Sequence, residues 1–498
     1  MPETPQLTPD DPHQLDGVVL ERSQEARDLI TAYPETEFYL DRLTDEDAAP
    51  LVVKIGGGEV DDQELANQLD YLSRLGVSII VIHGAGPQTS IALKAAGIEK
   101  QEVEGMRVTT REAMPIVQGT QEGVNKGLVD LIGPRSISIT NALISSIKGA
   151  DLGLVGNPEQ LKKDRIDMAL KAGKIVVMNS VGYVPANADQ DGYSGPTNNN
   201  ADQVAALVAN EYRAKEVVMV TGTGAVLKND EATGGEARPI SVLYPVEAEA
   251  LMKSGEIDGG MMVKVRAALD ILASGDEELR GVAIIKGRDI FKELFEHFGM
   301  GTLVTERPRF EKIDRQKITA PLIREVTGII NEAFGDRRLI DGFWDKILDE
   351  KSGDFSHILL GQQDYGAVGV VRTPDALKLA NGVQVQLLDK IAAKWHYEGT
   401  GVSSSIIEQA RQEGPVMWRA RIAPDDVQNV LLRERIYPKL ANYSQIITDN
   451  NGTGWVVYSV GLEGDSMTDK RNKMMQFVAN ESGTIVPKLS KAKIDKSW

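Results

Sequence analysis

The chain has 498 residues, more than a single hydrophobic core usually organises, which predicts two domains. Its formal charge of -18 speaks against nucleic acid or an anionic membrane surface as a partner, and no run of roughly 18 apolar residues stands anywhere to span a bilayer. Cysteine is absent, and no two of the five histidines (His13, His83, His297, His357 and His396) stand three or four positions apart, so disulfides, thiolate chemistry and a protein-built transition-metal site are not expected.

The start, MPETPQLTPDDPHQLDG, has neither a basic segment nor an apolar one, so a soluble cytoplasmic protein is expected. Residues 1–48 read as a polar arm in which Val18, Val19, Leu20, Ala26, Leu29 and Ile30 line one face of a short helix. From Leu51 the pattern becomes strand, glycine turn, helix. LVVK reads as a buried strand and GGGEVDD as the turn, and Leu65, Leu69 and Leu72 recur at helical spacing until Gly76 stops the helix. A second run, VSIIVI at Val77 to Ile82, ends in HGAG, and Pro87 can open the next helix where its missing N–H is tolerated. IVVMN near 175, VVMVT near 217 and VAIIK near 282 repeat the unit. The expectation over 49–304 is therefore an α/β domain, a largely parallel sheet wrapped by helices. VTERPRFEKIDRQK is charged and reads as an exposed linker, 305–318. A smaller α+β domain over 319–465 follows, then a charged tail, 466–498, expected to be partly disordered or to dock on a neighbouring subunit.

In an open α/β sheet ligands collect at the carboxyl ends of the strands, and both glycine clusters follow strands directly. Gly56, Gly57 and Gly58 after Lys54, and Gly84, Ala85 and Gly86 after His83, leave backbone N–H groups open at two helix starts, which favours anions. Phosphoryl transfer asks little covalent chemistry of a protein; it asks for cations around the transferring group and donors that hold the reactants in line. Lys54 is a candidate for such a cation. No GxxxxGK[ST] loop is present. Two further segments narrow the reading: TNNNADQVAALVA at 197–209, where Asn198 and Asp202 face one side if both open a helix, and GGMMVKVRAALD at 259–270, where Lys264 follows a glycine pair. Taken singly, a lysine ending a strand is usually a solvated cap and an NNNAD run a turn with an N-cap.

KIGG, HGAGPQ, GMRVT, NNNAD and GGMMVK, in this order, resemble the amino-acid kinase superfamily and most of all N-acetylglutamate kinase. The resemblance implies that Lys54 and Lys264 neutralise the transferred phosphoryl group while Asp202 holds the two ammonium groups. The backbone at Gly56, Gly57, Gly84 and Ala85 would bind phosphoryl oxygens. Ala85, Gly86, Arg107 and Asn198 would hold N-acetylglutamate, with Arg107 on its α-carboxylate. Thr221, Gly222 and Gly224 of the TGTG turn, with Lys264, would meet ATP, whose Mg²⁺ arrives on the nucleotide. The implied reaction is direct attack of the γ-carboxylate on the γ-phosphate. HGAG replaces the family's commoner HGGG, and TGTG its longer nucleotide turn.

In the second domain, ILLGQQDYGAVGVVRT reads as two strands around a turn and VQVQLLDKIAA as a third strand. KWHYEGTGVSSSIIEQARQEG reads as a glycine loop opening a helix, whose free N–H groups suit a pyrophosphate such as that of coenzyme A. With VMWRAR and GWVVYSVGL, this series resembles the GNAT acetyltransferase domain of bifunctional and vertebrate-like N-acetylglutamate synthases. The resemblance implies Lys390, Arg419 and Arg421 on glutamate carboxylates, and Gly399, Thr400, Gly401, Val402 and Ser403 on acetyl-CoA. Departures from the family are Glu398 for a glutamine, Ser403 for a glycine and Pro424 for an asparagine; a carboxylate beside a pyrophosphate is unhelpful unless it points away. The expectation is a bifunctional synthase/kinase for the first two steps of arginine biosynthesis, a homo-oligomer (dimer or tetramer) with L-arginine as effector near the N-terminal helix and GMGTLV (299–304). Two alternatives stay open: a kinase with a degenerate, regulatory acetyltransferase domain, and an arginine-sensing synthase whose kinase fold is not catalytic.

Overall fold

The apolar runs of the first half fold as strands of one sheet. In a computed structural model the order is Val282–Ile285, Val217–Val220, Leu51–Ile55, Ile79–His83, Ile175–Met178 and Ser136–Ser138, with all neighbours parallel. The residues described are 23–32, 40–41, 43–44, 48–103, 106–186, 193–230, 236–273, 279, 281–295, 300–306, 308–334, 337–349, 354–361, 366–394, 401–422, 437, 441–462, 467–481 and 485–487. Every residue of the first five strands is buried. A parallel sheet covered on both faces requires this, and it is why the sequence shows continuous apolar runs instead of alternation. The helix Gln63–Arg74 starts at Asp62, whose side chain accepts from the N–H groups of Glu64 and Leu65 at 2.9 and 3.1 Å. Leu65, Leu69 and Leu72 are buried, and the chain leaves the helix through Gly76 at φ +101°. A four-stranded sheet in the order Gly195–Asn198, Val181–Val184, Leu143–Ile147 and Gly156–Leu161 completes this half. In the arm, the helix spans Gln24–Ala32 with Ala26 buried, and Val18, Val19 and Leu20 lie outside the described residues.

The chain divides into two compact units, one of Met1–Ser241, Leu251–Glu296 and Met300–Thr302, the other of Val242–Ala250, His297–Gly299 and Leu303–Trp498. The division departs from a single cut at 304. Val242–Leu243 pairs in parallel with Leu303 and Val304 and goes with the second unit.

The second unit is built on a seven-stranded sheet in the order Phe310–Asp314, Phe355–Gly361, Ala367–Arg372, Gln386–Ala393, Val416–Arg421, Gly454–Val460 and Tyr443–Thr448. Only Gln386–Ala393 and Val416–Arg421 run parallel, and they pair just from Gln386↔Val416 to Leu388↔Trp418. Beyond that point each strand keeps only its outer partner, so the two splay apart from Asp389 and Arg419 onward. Trp418 stacks on Tyr458 with ring centroids 5.4 Å apart, and Tyr437 meets both rings edge-on.

Two expectations need correction. The charged stretch read as a linker contains the strand Phe310–Asp314, with Phe310 and Ile313 buried and Glu311, Lys312 and Asp314 exposed. It is the edge of the sheet, and a solvated edge face takes charges readily. The segment read as a loose tail contains the helix Thr468–Asn480. Its Met474, Met475, Val478 and Ala479 are buried against Leu377, Val385, Met417 and Val457.

Candidate active site

Lys54 is the last residue but one of a fully buried strand and is itself 4% exposed. A lysine there is tenable only if paired, and its Nζ lies 2.7 Å from the Asp202 carboxylate. Asp202 sits in the first turn of the helix Ala201–Glu211, where the helix dipole favours an anion, and its N–H donates to the Asn200 side chain at 2.8 Å. Lys264, half-buried near the start of the helix Gly259–Ala273, completes the group. Burial and then the Lys54 charge hold its ammonium below the usual pKa; Asp202 and Glu59 act in the opposite direction. A carboxylate and two ammonium groups thus share one neighbourhood.

The two glycine turns lie against one another at the carboxyl edge of the sheet. A Cβ on Gly57 would stand 2.8 Å from Pro87 Cδ and 2.9 Å from the Gly86 nitrogen, so only glycine permits this approach. Gln88 Nε2 donates to the Gly57 carbonyl at 2.7 Å, and the Gly84 N–H donates to Ile55 O at 3.0 Å. Ala85 is buried at the N-cap of the helix Gly86–Ala95, which has Pro87 in its first turn. His83 braces the second turn from below. Asn125 Nδ2 reaches His83 Nε2 at 3.1 Å and Val177 O at 3.2 Å, while His83 Nδ1 reaches Gly84 O at 3.3 Å. An amide nitrogen can only donate, which assigns the imidazole proton to Nδ1.

Burial pushes His83 from an ordinary pKa of 6.5 to about 4, against a smaller upward pull from the Gly84 hydrogen bond. Between those values the unfolded chain holds a proton that the folded one refuses. Stability should therefore fall as pH drops from about 6.5 toward 4, by roughly 1.4 kcal/mol per pH unit for this group. Thermal melting of wild type and His83→Gln across that range checks this. The wild type is expected to lose melting temperature faster, and parallel curves would refute it.

Arg107, expected on the acceptor carboxylate, is held at the second glycine turn. Its Nη2 donates to Ser90 Oγ at 2.5 Å and to the Gly86 carbonyl at 3.4 Å, while Nη1 is buried without a protein partner. Burial lowers the Arg107 pKa and Glu102 opposes that shift. A buried N–H of a cation is costly to leave unpaired, so it marks a place for an anion. Asn198 does not share the helix start with Asp202. It ends the strand Gly195–Asn198, donating from Nδ2 to Thr109 Oγ1 at 3.0 Å and facing Gln121 Nε2 at 3.5 Å. The three asparagines divide the work. Asn199, buried, accepts from Ser145 Oγ at 3.1 Å and donates to Ser180 O at 3.1 Å, and Asn200 caps the helix. Asn199 and Gln121, which accepts from both Ser180 N–H and Ser180 Oγ at 3.0 Å, escaped the sequence reading. The asparagine run itself was the available signal.

At the TGTG turn, Thr221 N–H donates to Ile285 O at 2.9 Å and Gly224 has φ +76°. A Cβ on Gly224 would strike the aliphatic part of Lys286, another side chain that no motif announced.

Residues 49–280 match the model of the amino acid kinase family. The acetylglutamate kinase of Xanthomonas campestris pv. campestris is 32% identical over 402 residues, spanning 78% of this chain and 87% of that protein. The chain belongs to the acetylglutamate kinase family. The acetylglutamate kinase of Psychrobacter cryohalolentis, also 32% identical, matches 56% of this chain and 94% of its own length. The likeness to the Xanthomonas family member thus continues beyond the kinase region. The N-acetylglutamate synthase from Neisseria gonorrhoeae shares the fold, with a TM-score of 0.54 at 17% identity over 86% of this chain and 99% of that one.

In the second unit of this family member, Gly401 (φ +80°) caps the helix Val402–Arg411, placing Val402 and Ser403 in its first turn. Gly399, Thr400, Glu398 and Pro424 lie outside the described residues. The three substrate cations expected here do not stand alike. Lys390 is buried against the Asp389 carboxylate and donates to Asp389 O at 3.0 Å. Arg419 Nη1 donates to the carbonyls of Val478 and Ala479 at 2.9 and 2.8 Å, with its guanidinium 4.1 Å from the Trp455 ring centroid. Arg421 is exposed at the end of its strand. The C-terminal helix, unforeseen from sequence, supplies the two carbonyls that accept from Arg419 Nη1.

Proposed function

We propose that the chain transfers the γ-phosphoryl group of ATP to the γ-carboxylate of N-acetyl-L-glutamate. The observation that carries this reading is Arg107, fastened to the Gly86 carbonyl of the second glycine turn with its buried Nη1 left without a protein partner, as a clamp for a carboxylate would be. Anchored there, it would present the acceptor to the phosphate-binding turns. The acceptor carboxylate is already deprotonated near neutral pH, so no general base is needed. Its oxygen bonds to the γ-phosphorus, the bridging P–O bond breaks, and ADP departs. Lys54 and Lys264 offset the charge on the transferring group, and Asp202 offsets the repulsion between them. Gly56, Gly57, Gly84 and Ala85 would offer backbone N–H groups, Asn198 would position the acceptor, and Thr221, Gly222 and Gly224 would lie along the nucleotide. ADP release by purified protein given ATP and N-acetylglutamate tests the reading, and no release would end it. Arg107→Ala is expected to raise KM for N-acetylglutamate roughly 10- to 100-fold with a smaller change in kcat.

For the second unit we propose acetyl transfer from acetyl-CoA to L-glutamate. The splayed parallel pair, followed by a helix whose start is capped by a left-handed glycine, supports it. So does the fold shared with the Neisseria gonorrhoeae synthase, whose structures hold coenzyme A with L-arginine or with N-acetyl-glutamate. Lys390, Arg419 and Arg421 would bind the glutamate carboxylates, and Lys390 and Arg419 would have to exchange the protein partners they hold here for substrate. Release of coenzyme A thiol on adding glutamate and acetyl-CoA tests this. Its absence beside a working kinase would leave a kinase with a degenerate acetyltransferase domain. Regulation by L-arginine, a homo-oligomeric state and a cytoplasmic location belong to the same reading. No described helix is long and apolar enough to cross a membrane.

A further inference from the structure

Glu59 lies just past the first glycine turn, and its N–H donates to Gly56 O at 3.0 Å. The side chain folds back over that turn: its Oε2 fills the space a Cβ on Gly56 would take. Its Oε1 stands 3.0 Å from where a Cβ on Gly222 would stand. One carboxylate therefore joins the phosphate-binding turn to the nucleotide turn, and glycine at both positions makes room for it. It is also among the charges that act on Lys264.

The charges around this place include Lys54, Lys264, Asp202 and Glu59, with Lys286 beside Gly224 of the nucleotide turn. Asp202 is engaged by Lys54 at 2.7 Å, which leaves Glu59 as the carboxylate between the two turns. In a site meant for a polyphosphate, an acidic group lowers affinity unless a cation lies between. Mg²⁺ suits that position: it takes one or two carboxylates together with substrate phosphates and retained waters. Among the described residues no group of three or more His, Cys, Asp or Glu side chains could hold a metal unaided. Nucleotide phosphates and one carboxylate, acting jointly, could.

We propose that Glu59 is the protein's own ligand for the Mg²⁺ that enters with the nucleotide. This rests on the kinase reading. The test measures binding instead of turnover: titration calorimetry of ATP against wild type, Glu59→Gln and Glu59→Asp, each with Mg²⁺ and with EDTA. Electron paramagnetic resonance of Mn²⁺ added with ADP follows the cation directly. Glu59→Gln is expected to bind the Mg²⁺ complex roughly tenfold more weakly and metal-free ATP more tightly, and to leave more Mn²⁺ free. Glu59→Asp, which keeps the charge at shorter reach, should recover part of the metal dependence and provides the measurement should the glutamine variant not fold. Equal weakening with and without metal would show that Glu59 only orients Lys264 and would overturn the proposal, as would no change in either. If the Glu59 pattern appears but N-acetylglutamate is not phosphorylated, this inference is supported and the acceptor assignment fails. A chain that binds no nucleotide overturns both.

Discussion

Replacing Lys54 with alanine is expected to cost the fold and the reaction together, whereas Lys264→Ala is expected to cost the reaction alone. Lys54 and Asp202 have side chains only 5% and 7% exposed, and their ion pair is what makes either charge tolerable there. Removing one partner leaves a buried, uncompensated carboxylate, a loss of about 3–5 kcal/mol. Replacing both, as Lys54→Met with Asp202→Asn, should restore most of that stability without restoring activity. Lys264 is half-buried on a helix, so its loss strands no buried partner. It should lower kcat by about 10²- to 10³-fold, the usual range for one stabilising donor. Urea unfolding and ADP release on the same preparations separate the two effects. A Lys264→Ala protein that melts as early as Lys54→Ala, or that keeps its turnover, would contradict the division of roles.

The second large effect is expected in the other unit. Arg372, with its side chain 7% exposed, binds Asp389 at 2.8 Å, Asp354 at 2.7 Å and Glu481 at 2.6 Å. Burial by itself would raise the Asp389 pKa, but Lys390 and Arg372 together hold it well below the usual carboxylate range. Arg372→Met would leave Asp389 with Lys390 as its partner and strip the Arg372 partner from Asp354 and Glu481, and about 3–5 kcal/mol of stability should go with it. Because the folded-state pKa of Asp389 is depressed, its contribution is present above the unfolded value near 4 and disappears as pH falls below it. The wild type should therefore lose more stability on acidification below about pH 4 than Arg372→Met does. Unfolding followed at pH 7 and below pH 4 decides this; equal acid sensitivity would remove Arg372 from the account. Glu481 lies just past the C-terminal helix, so that helix should also exchange its amide hydrogens faster in the variant.

Much of the first unit was legible because buried parallel strands write themselves as unbroken apolar runs, as at Ile79–His83 and Val217–Val220. Lys54 and Lys264 were legible through motifs. What those residues touch was not. The Cβ positions that force glycine at 57 and 224 involve Pro87 and Lys286, which lie far away in sequence. Asn198 was placed on a helix because spacing alone cannot say where a strand ends and a cap begins. In the second unit, Phe310–Asp314 passed for a linker because its exposed face is charged. The C-terminal helix passed for a tail because its apolar stripe is interrupted by the buried Arg471, which reaches the Leu462 carbonyl. The second error hid the Val478 and Ala479 carbonyls that now decide the reading of Arg419.

The Trp418 stack has a practical consequence. All five tryptophans of the sequence, at 344, 395, 418, 455 and 498, fall beyond the last residue of the kinase unit. Indole emission therefore reports on the acetyltransferase-like unit alone, and the kinase half carries no indole. A denaturation curve read by fluorescence follows one unit, and far-ultraviolet dichroism follows both. The gap between the two curves would measure whether the units unfold as one body or in turn, without a label on either.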